Sequence, residues 1–186
     1  MHRRTPLHSE KKRRALRAGA LLAPGAPMRS GEARRGAVTE AVRLVLAGKA
    51  TIAQAARITG ASAETVQALV WAEAQRRVFE RDSWTCPHCG RRSVVVHDRF
   101  SPPGCAAAGV SAVPPGIAAL VSLCDEAHRK AHDINDPEMA VRGLRLDRWQ
   151  DPALVPLILL TGDGTAYPVW LTENGLIVTA PPQRAG

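Results

Sequence analysis

Apolar residues after position 36 recur every three or four positions, as they do on one face of a helix. The first such group ends before Gly48 and consists of Val38, Ala41, Val42, Val45 and Leu46. Glycine at position 48 favours the end of a helix, since glycine takes up the left-handed backbone that other residues avoid. The pattern therefore predicts a helix from about Ala37 to Gly48.

Two further helices are predicted from capping residues. Thr51, with Gln54 three positions later, forms a capping-box pattern that starts a helix ending before Gly60. Ser62 can then cap a third helix that continues towards Phe79. A short helix, a turn containing glycine and another helix follow one another in the order of a helix-turn-helix motif.

The stretch Thr51–Val70 resembles that motif, with Ala56, Gly60 and Val66 at its small, turn and core positions. The start of its second helix offers no Arg or Lys, which are the residues that read guanine best. The polar residues at this start are Ser62, Glu64, Thr65 and Gln67. The sequence therefore favours a structural three-helix module over one that reads bases in the major groove.

The last third of the chain is predicted to form a short helix followed by strands. The helix is expected at Pro137–Leu146 and the strands at Val155–Leu160, Ala166–Leu171 and Leu176–Thr179. Turns rich in Gly, Asp and Asn separate the strands, which favours a small β-meander. We expect this meander to be a stabilising cap without chemistry of its own.

These elements predict an α+β protein in four parts. The parts are a disordered basic arm at 1–36, a helix-turn-helix-like module at 37–74, a domain rich in metal-ligating residues at 75–135, and a C-terminal helix with a β-meander at 136–186. Whether residues 1–27 belong to the protein is left open, because Met28 is an alternative start.

The positive charge is concentrated at the start of the chain. The chain has 25 Lys and Arg against 17 Asp and Glu, and residues 1–36 hold ten of the basic residues and two of the acidic ones. Such an arm is typical of contact with nucleic acid phosphates, although a solvated tail has the same composition. The apolar runs are too short to cross a bilayer. We expect a cytoplasmic protein that binds DNA and no membrane.

Cysteine and histidine spacing in the middle of the chain indicates metal binding. Cys86 and Cys89 form a CxxC pair followed by glycine, and a third thiol follows at Cys124. His128 and His132 are four positions apart, which places both rings on one face of a helix. Without a convincing secretion signal, the four cysteines are expected to be metal ligands or free thiols and not disulfides.

These residues carry a resemblance to the HNH endonucleases, whose site is a ββα-metal fold. The similarity begins with the run from Arg77 to Gly90, continues through Val96-His97 and Leu120–Cys124, and closes with His128-Arg129-Lys130-Ala131-His132. The tail after Gly143 is similar to HNH proteins of actinobacterial phages. The resemblance implies a structural zinc site and a catalytic site with a divalent ion.

For the zinc site, the resemblance implies Cys86, Cys89 and Cys124 as ligands. Ala127 stands where the family has its fourth cysteine, so Cys105 or His88 is the expected fourth ligand. Three cysteines and one histidine are also a known tetrahedral zinc set.

For the catalytic site, the resemblance implies metal ligands at His128 and His132 and leaves two registers open before them. In the first, which we prefer, His97 is the general base and Asp98 reaches the metal from the other side. In the second, His97 is a ligand and Asp98 replaces the base. The asparagine that orients the base in the family is replaced by Ala119.

The resemblance predicts hydrolysis of DNA phosphodiester bonds with low sequence specificity, using Mg²⁺, Mn²⁺ or Ni²⁺. A neutral imidazole at His97 would take the proton of the attacking water. The residues expected to hold phosphates are Arg76, Arg77, Arg91, Arg92, Arg99, Arg129 and Lys130. The alternatives are a catalytically degenerate zinc protein that binds DNA, or an accessory factor that works with a larger phage packaging enzyme.

Overall fold

A computed structural model describes residues 31–100, 116–133, 135–161 and 163–183. Three helices come first: α1 (Gly31–Leu46), α2 (Ile52–Thr59) and α3 (Ala63–Arg81). No helix in these ranges is long and apolar enough to cross a membrane. The predicted arm falls largely outside the described residues, and its boundary at position 36 is wrong, because α1 already begins at Gly31.

The capping residues act as the sequence predicts. Thr51 accepts from the backbone N–H of Gln54, and the Gln54 side chain accepts from the N–H of Thr51, so the capping box before α2 is complete. Ser62 caps α3 through the N–H of Thr65. The apolar faces of the three helices then meet in one cluster, formed by Ala41, Val42, Val45, Ala55, Val66 and Val70.

Helix α3 continues across the boundary predicted at position 74 and joins the helical module to the metal-ligating part of the chain. Its last residue, Arg81, is paired with Asp82 and donates to the carbonyl oxygens of Ile117 and Leu120. Asp82 in turn accepts from the backbone N–H of Ser122. The end of α3 is therefore fixed to the strand that precedes the next helix.

The middle of the chain folds as two strands and a helix. Strand β1 (Val95–Asp98) pairs antiparallel with β2 (Leu120–Leu123), with His97 opposite Val121. Helix α4 (Asp125–Ala131) follows β2 directly, and the Cys124 thiol caps it by accepting from the N–H of Ala127. The mixture of helices and antiparallel strands confirms the predicted α+β class.

The C-terminal part forms the expected meander after a helix shorter than predicted. Helix α5 (Glu138–Val141) ends early because Gly143 takes up a left-handed backbone with φ of +69°. Strands β3 (Leu157–Leu160), β4 (Ala166–Leu171) and β5 (Ile177–Val178) form an antiparallel sheet in chain order. Leu144, Leu157 and Leu171 are buried in the same apolar cluster as Cys86 and Cys124, so the meander completes the core around the cysteines.

Candidate metal centres

Cys86, Cys89 and Cys124 lie together and form a group that could hold a metal ion. A tight turn at the CxxC pair places the first two thiols on the same side. In this turn the N–H of Gly90 donates to the carbonyl of Cys86, and Gly90 has a left-handed backbone with φ of +70°. Cys124 arrives from the start of α4. The Sγ atoms of Cys89 and Cys124 are 3.6 Å apart. This separation suits two thiolates on one zinc ion, which lie about 3.8 Å apart, and excludes a disulfide bond of about 2.05 Å.

The thiols of Cys86 and Cys89 do not have equal acidity. Burial raises the pKa of Cys86 to about 12. The partial burial of Cys89 acts in the same direction, but its pKa is lowered overall, because Arg91 donates to its sulfur at 3.4 Å and the neighbouring thiols also bond to it. Arg91 also pairs with Glu126. Arg91 thus contacts both the cysteine group and α4, and because its side chain is exposed, its contact with phosphate stays a prediction.

The fourth ligand of this group stays a prediction. Cys105 lies outside the described residues. His88 sits inside the CxxC turn, but its Nε2 atom is 3.7 Å from Glu138 and it is not grouped with the three thiols. Ala127, at the position of the family's fourth cysteine, is buried against the group and offers only its backbone N–H to Cys124.

His97, His128 and His132 form a second group that could hold a metal ion. The first comes from β1 and the other two from α4 and its C-terminal cap, where the four-residue spacing aligns them. The Nε2 atoms of His128 and His132 are 3.1 Å apart. The His97 ring lies with its centroid 5.4 Å from that of His128 and 5.1 Å from that of His132. One ligand atom from each side chain lies within 4.8 Å of the others.

The two nitrogens of His97 have different surroundings. Its Nε2 atom is 3.1 Å from the backbone carbonyl oxygen of Leu144, which can only accept a hydrogen bond. The Nε2 atom therefore carries the proton in the neutral ring, and Nδ1 carries a free lone pair. Nδ1 is buried and has no hydrogen-bond partner among the described residues. A buried nitrogen of this kind is suited to a metal ion, because a buried lone pair without a partner is otherwise costly.

The electrostatic setting keeps the imidazoles of His97 and His128 neutral. The pKa of His97 is lowered to about 3, first by burial and then by the neighbouring His132 and His128. Burial also lowers the pKa of His128, with His132 as the next cause. Neutral imidazole is the form that binds a metal ion. His97 and His128 can therefore bind an ion at neutral pH without first losing a proton.

Asp98 and Ala119 do not complete this group. Neighbouring residues of a strand point to opposite faces, so Asp98 lies on the other side of β1 from His97, and its carboxylate accepts from the N–H of Phe100. Its pKa is raised by burial, against the effect of that hydrogen bond. Asp98 is not grouped with the three histidines, which is contrary to its predicted contact with their metal. Ala119 is fully buried just before β2 and offers no polar side chain.

The basic residues expected at phosphates fall into different settings. The prediction that Arg99 holds a phosphate is wrong, because its side chain is fully buried and cannot reach DNA. Its guanidinium donates to the carbonyl oxygens of Gly143, Ala118, Pro152 and Val155. Arg76 and Arg77 are paired with Glu73 on the surface of α3. Arg92 and Arg129 are exposed, and Lys130 is half-buried.

Sequence reasoning missed the part that residues 142–146 play in the histidine group. The contact from Leu144 is made by a backbone carbonyl, and any residue type supplies the same carbonyl. The only signal in the sequence was Gly143, whose left-handed backbone turns the chain just before this contact. The stretch had been predicted as the end of a helix, in which the carbonyls are bonded internally.

Comparisons of the chain with protein-family models, with curated proteins and with solved structures found no match. The functional argument therefore rests on the two groups of metal-ligating side chains and on what surrounds them.

Proposed function

We propose that the protein is a metal-dependent endonuclease of the HNH type that hydrolyses DNA phosphodiester bonds. One observation carries this proposal: His97, whose buried Nδ1 atom has no hydrogen-bond partner among the described residues, is grouped with two further imidazoles, His128 and His132. One histidine from β1 and two from α4 and its C-terminal cap are consistent with the ββα-metal arrangement that the sequence resemblance implies. The neighbouring cysteine group supports the same assignment, since this family joins a structural zinc site to its catalytic site.

The donor set indicates which ion the histidine group would hold. Nitrogen ligands suit Ni²⁺ and Zn²⁺, whereas Mg²⁺ prefers carboxylate, carbonyl and water oxygens. Of the three ions predicted from the sequence, Ni²⁺ fits three imidazoles best and Mg²⁺ fits them least. When bound, such an ion supplies charge to neutralise the phosphate and to stabilise the leaving oxygen. The sulfur ligands of the cysteine group favour Zn²⁺.

We infer a different role for His97 from the general base that the first register gives it. Nε2 of His97 already donates to Leu144, so only Nδ1 could take a proton from water or bind an ion. The grouping of His97 with His128 and His132 favours the second register, in which His97 is a ligand. In that register Asp98 replaces the base, but its carboxylate lies on the opposite face of β1. We therefore expect slow hydrolysis, without the contribution of a positioned general base.

The surface around α4 supports contact with the DNA backbone and not with bases. Arg92 and Arg129 are exposed and positively charged, and Arg129 and Lys130 belong to the helix that carries His128. Charged contacts of this type bind phosphates without regard to sequence. The proposal therefore includes low intrinsic sequence specificity. A sharply defined cleavage site in a library of random duplexes would contradict it.

A second candidate is a metal-containing DNA-binding protein that does not cut, such as an accessory factor working beside a larger phage packaging enzyme. The observation that favours it is the absence of an acid or amide from the histidine group, as far as the chain is described: Ala119 replaces the family's asparagine and Asp98 faces away. The three-helix module and the basic arm would then supply most of the binding.

Plasmid nicking by the full chain tests both candidates. Supercoiled plasmid is incubated with wild type, His128→Ala and His8→Ala in Ni²⁺, Mn²⁺, Mg²⁺ or EDTA. The variant His8→Ala is a matched control, since His8 is a histidine that belongs to neither group of metal-ligating residues. Metal-dependent nicking that is lost only in His128→Ala supports the nuclease. Nicking that survives in His128→Ala contradicts the site. Absence of nicking with every metal, while plasmid mobility still shifts, supports the second candidate.

A further inference from the structure

A residue beyond the ββα elements makes a hydrogen bond to the histidine group. The carbonyl oxygen of Leu144 is the partner of His97 Nε2, at 3.1 Å. A neutral imidazole has one N–H, and the nitrogen that carries it cannot bind a metal ion. The position of this carbonyl therefore determines which nitrogen of His97 is free to be a ligand.

The segment that presents this carbonyl is anchored on both sides. The N–H of Leu144 donates to the carbonyl of Met139 at 2.8 Å, and the N–H of Leu146 donates to the carbonyl of Arg99 at 2.7 Å. Arg99 is two positions after His97, and its guanidinium returns to the carbonyl of Gly143. Strand β1 and the segment 143–146 are thus bound to each other by three hydrogen bonds, one from the His97 ring and two through Arg99.

Gly143 allows the approach that these bonds require. Its φ of +69° is a left-handed conformation, and a Cβ atom at this position would lie 2.1 Å from the carbonyl oxygen of Pro156. The obstacle is backbone and cannot move aside as a flexible side chain could. Any larger residue at 143 would therefore displace the turn that carries the Leu144 carbonyl.

We propose that the segment Gly143–Leu144 is a positioning element of the histidine group: it holds His97 in the Nε2–H tautomer, so that Nδ1 is the nitrogen presented to the metal. The C-terminal region, expected from the sequence to be a passive cap, is then part of the metal site. This inference rests on the proposed metal site, but not on DNA hydrolysis.

The first test reads the tautomer directly in the full wild-type chain before divalent metal is added. Long-range ¹H–¹⁵N correlation spectra distinguish a protonated from an unprotonated ring nitrogen, and His97→Gln assigns the signal by its loss. The expected result is a single set of His97 signals with Nε2 protonated and Nδ1 bare. A protonated Nδ1, or an averaged mixture of the two tautomers, would overturn the proposal.

The second test displaces the carbonyl. Gly143→Ala is compared with Gly60→Ala, which has nearly the same left-handed backbone (φ of +65°) but open space around its Cβ position. With the cysteine group first filled by one equivalent of Zn²⁺, Ni²⁺ binding is measured by calorimetry. Loss of an outer hydrogen-bond partner of a ligating histidine typically weakens metal binding about 10- to 100-fold. We expect such a loss in Gly143→Ala alone.

The two tests separate this inference from the proposed function. Equal Ni²⁺ affinity in both glycine variants would overturn the positioning role. If Gly143→Ala does not fold, the wild-type tautomer still decides the question. A wild type that binds no Ni²⁺ but shows the Nε2–H tautomer would remove the proposed nuclease site while leaving the role of Leu144 towards His97 intact.

Discussion

The Nε2 atoms of His128 and His132 lie 3.1 Å apart, on one face of α4 and its C-terminal cap. At this distance both atoms cannot carry protons directed at each other, so one donates to the other or both bind the same ion. Two nitrogen ligands of a tetrahedral ion with bonds of about 2.05 Å lie about 3.3 Å apart. The pair is therefore already close to the spacing that a shared metal ion requires.

Acid is expected to destabilise the protein when no metal is added. The pKa of His97 is lowered to about 3 by burial, while in the unfolded chain it returns to its ordinary value of about 6.5. The unfolded state therefore binds more protons between these values, and stability is lost as pH falls from about 6.5 towards 3, by up to about 1.4 kcal/mol per pH unit. Urea unfolding at pH 7, 6 and 5 measures the slope. His97→Gln should flatten it, and an unchanged slope in that variant would contradict the prediction.

Zinc affinity at the cysteine group is expected to rise with pH. Burial raises the pKa of Cys86 to about 12, so its thiol is protonated at neutral pH and must lose that proton when an ion binds. Competition titrations with a zinc chelator at pH 6, 7 and 8 measure the dependence. Cys86→Ser removes this thiol and should weaken binding at every pH. Its pH dependence should also be shallower than that of wild type. Zinc binding by wild type that does not change over this range would show that the prediction is wrong.

Replacing Ser83 by glycine is expected to stabilise the protein. Ser83 and Trp84 have φ of 51° and 57°, in the left-handed region that costs non-glycine residues roughly 1–2 kcal/mol. Glycine relieves this strain but adds freedom to the unfolded chain, so a net gain of about 0.5–1 kcal/mol follows. Chemical denaturation gives the value. Ser83→Ala keeps the strain and serves as the control, so its free energy of unfolding should not increase.

Replacing Arg99 by lysine is expected to lower the free energy of unfolding strongly, although the charge is kept. The guanidinium donates to four backbone carbonyls in a fully buried site, and one ammonium group cannot reach them all. Each hydrogen bond lost from a charged buried group costs roughly 1.5–3 kcal/mol. Arg92→Lys, on the exposed surface, is the matched control and should change the free energy of unfolding little. A loss in Arg99→Lys no larger than in that control would contradict the assigned role.

The local patterns of the sequence predicted the elements well. The residues that begin or end α2 and α3 contact only residues within four positions along the chain, so these helix ends could be predicted without knowing the rest of the fold. These residues are Thr51, Gln54, Gly60 and Ser62. Strand β4 was predicted with its observed bounds. The start of α1 was missed, because residues 31–36 have no apolar face and their charge resembles that of the preceding arm.

The sequence also singled out the cysteines and histidines of the two groups that could hold a metal ion, although it favoured His97 as the base and Asp98 as a ligand. The sequence could not show which way these side chains point. Whether His97 presents Nδ1 or Nε2, whether Asp98 faces the same side, and whether Arg99 meets solvent or carbonyls depend on the pairing of β1 with β2 and with the segment 143–146. These contacts join residues more than twenty positions apart. Most are made by backbone atoms common to all residues, so only the tertiary structure decides them.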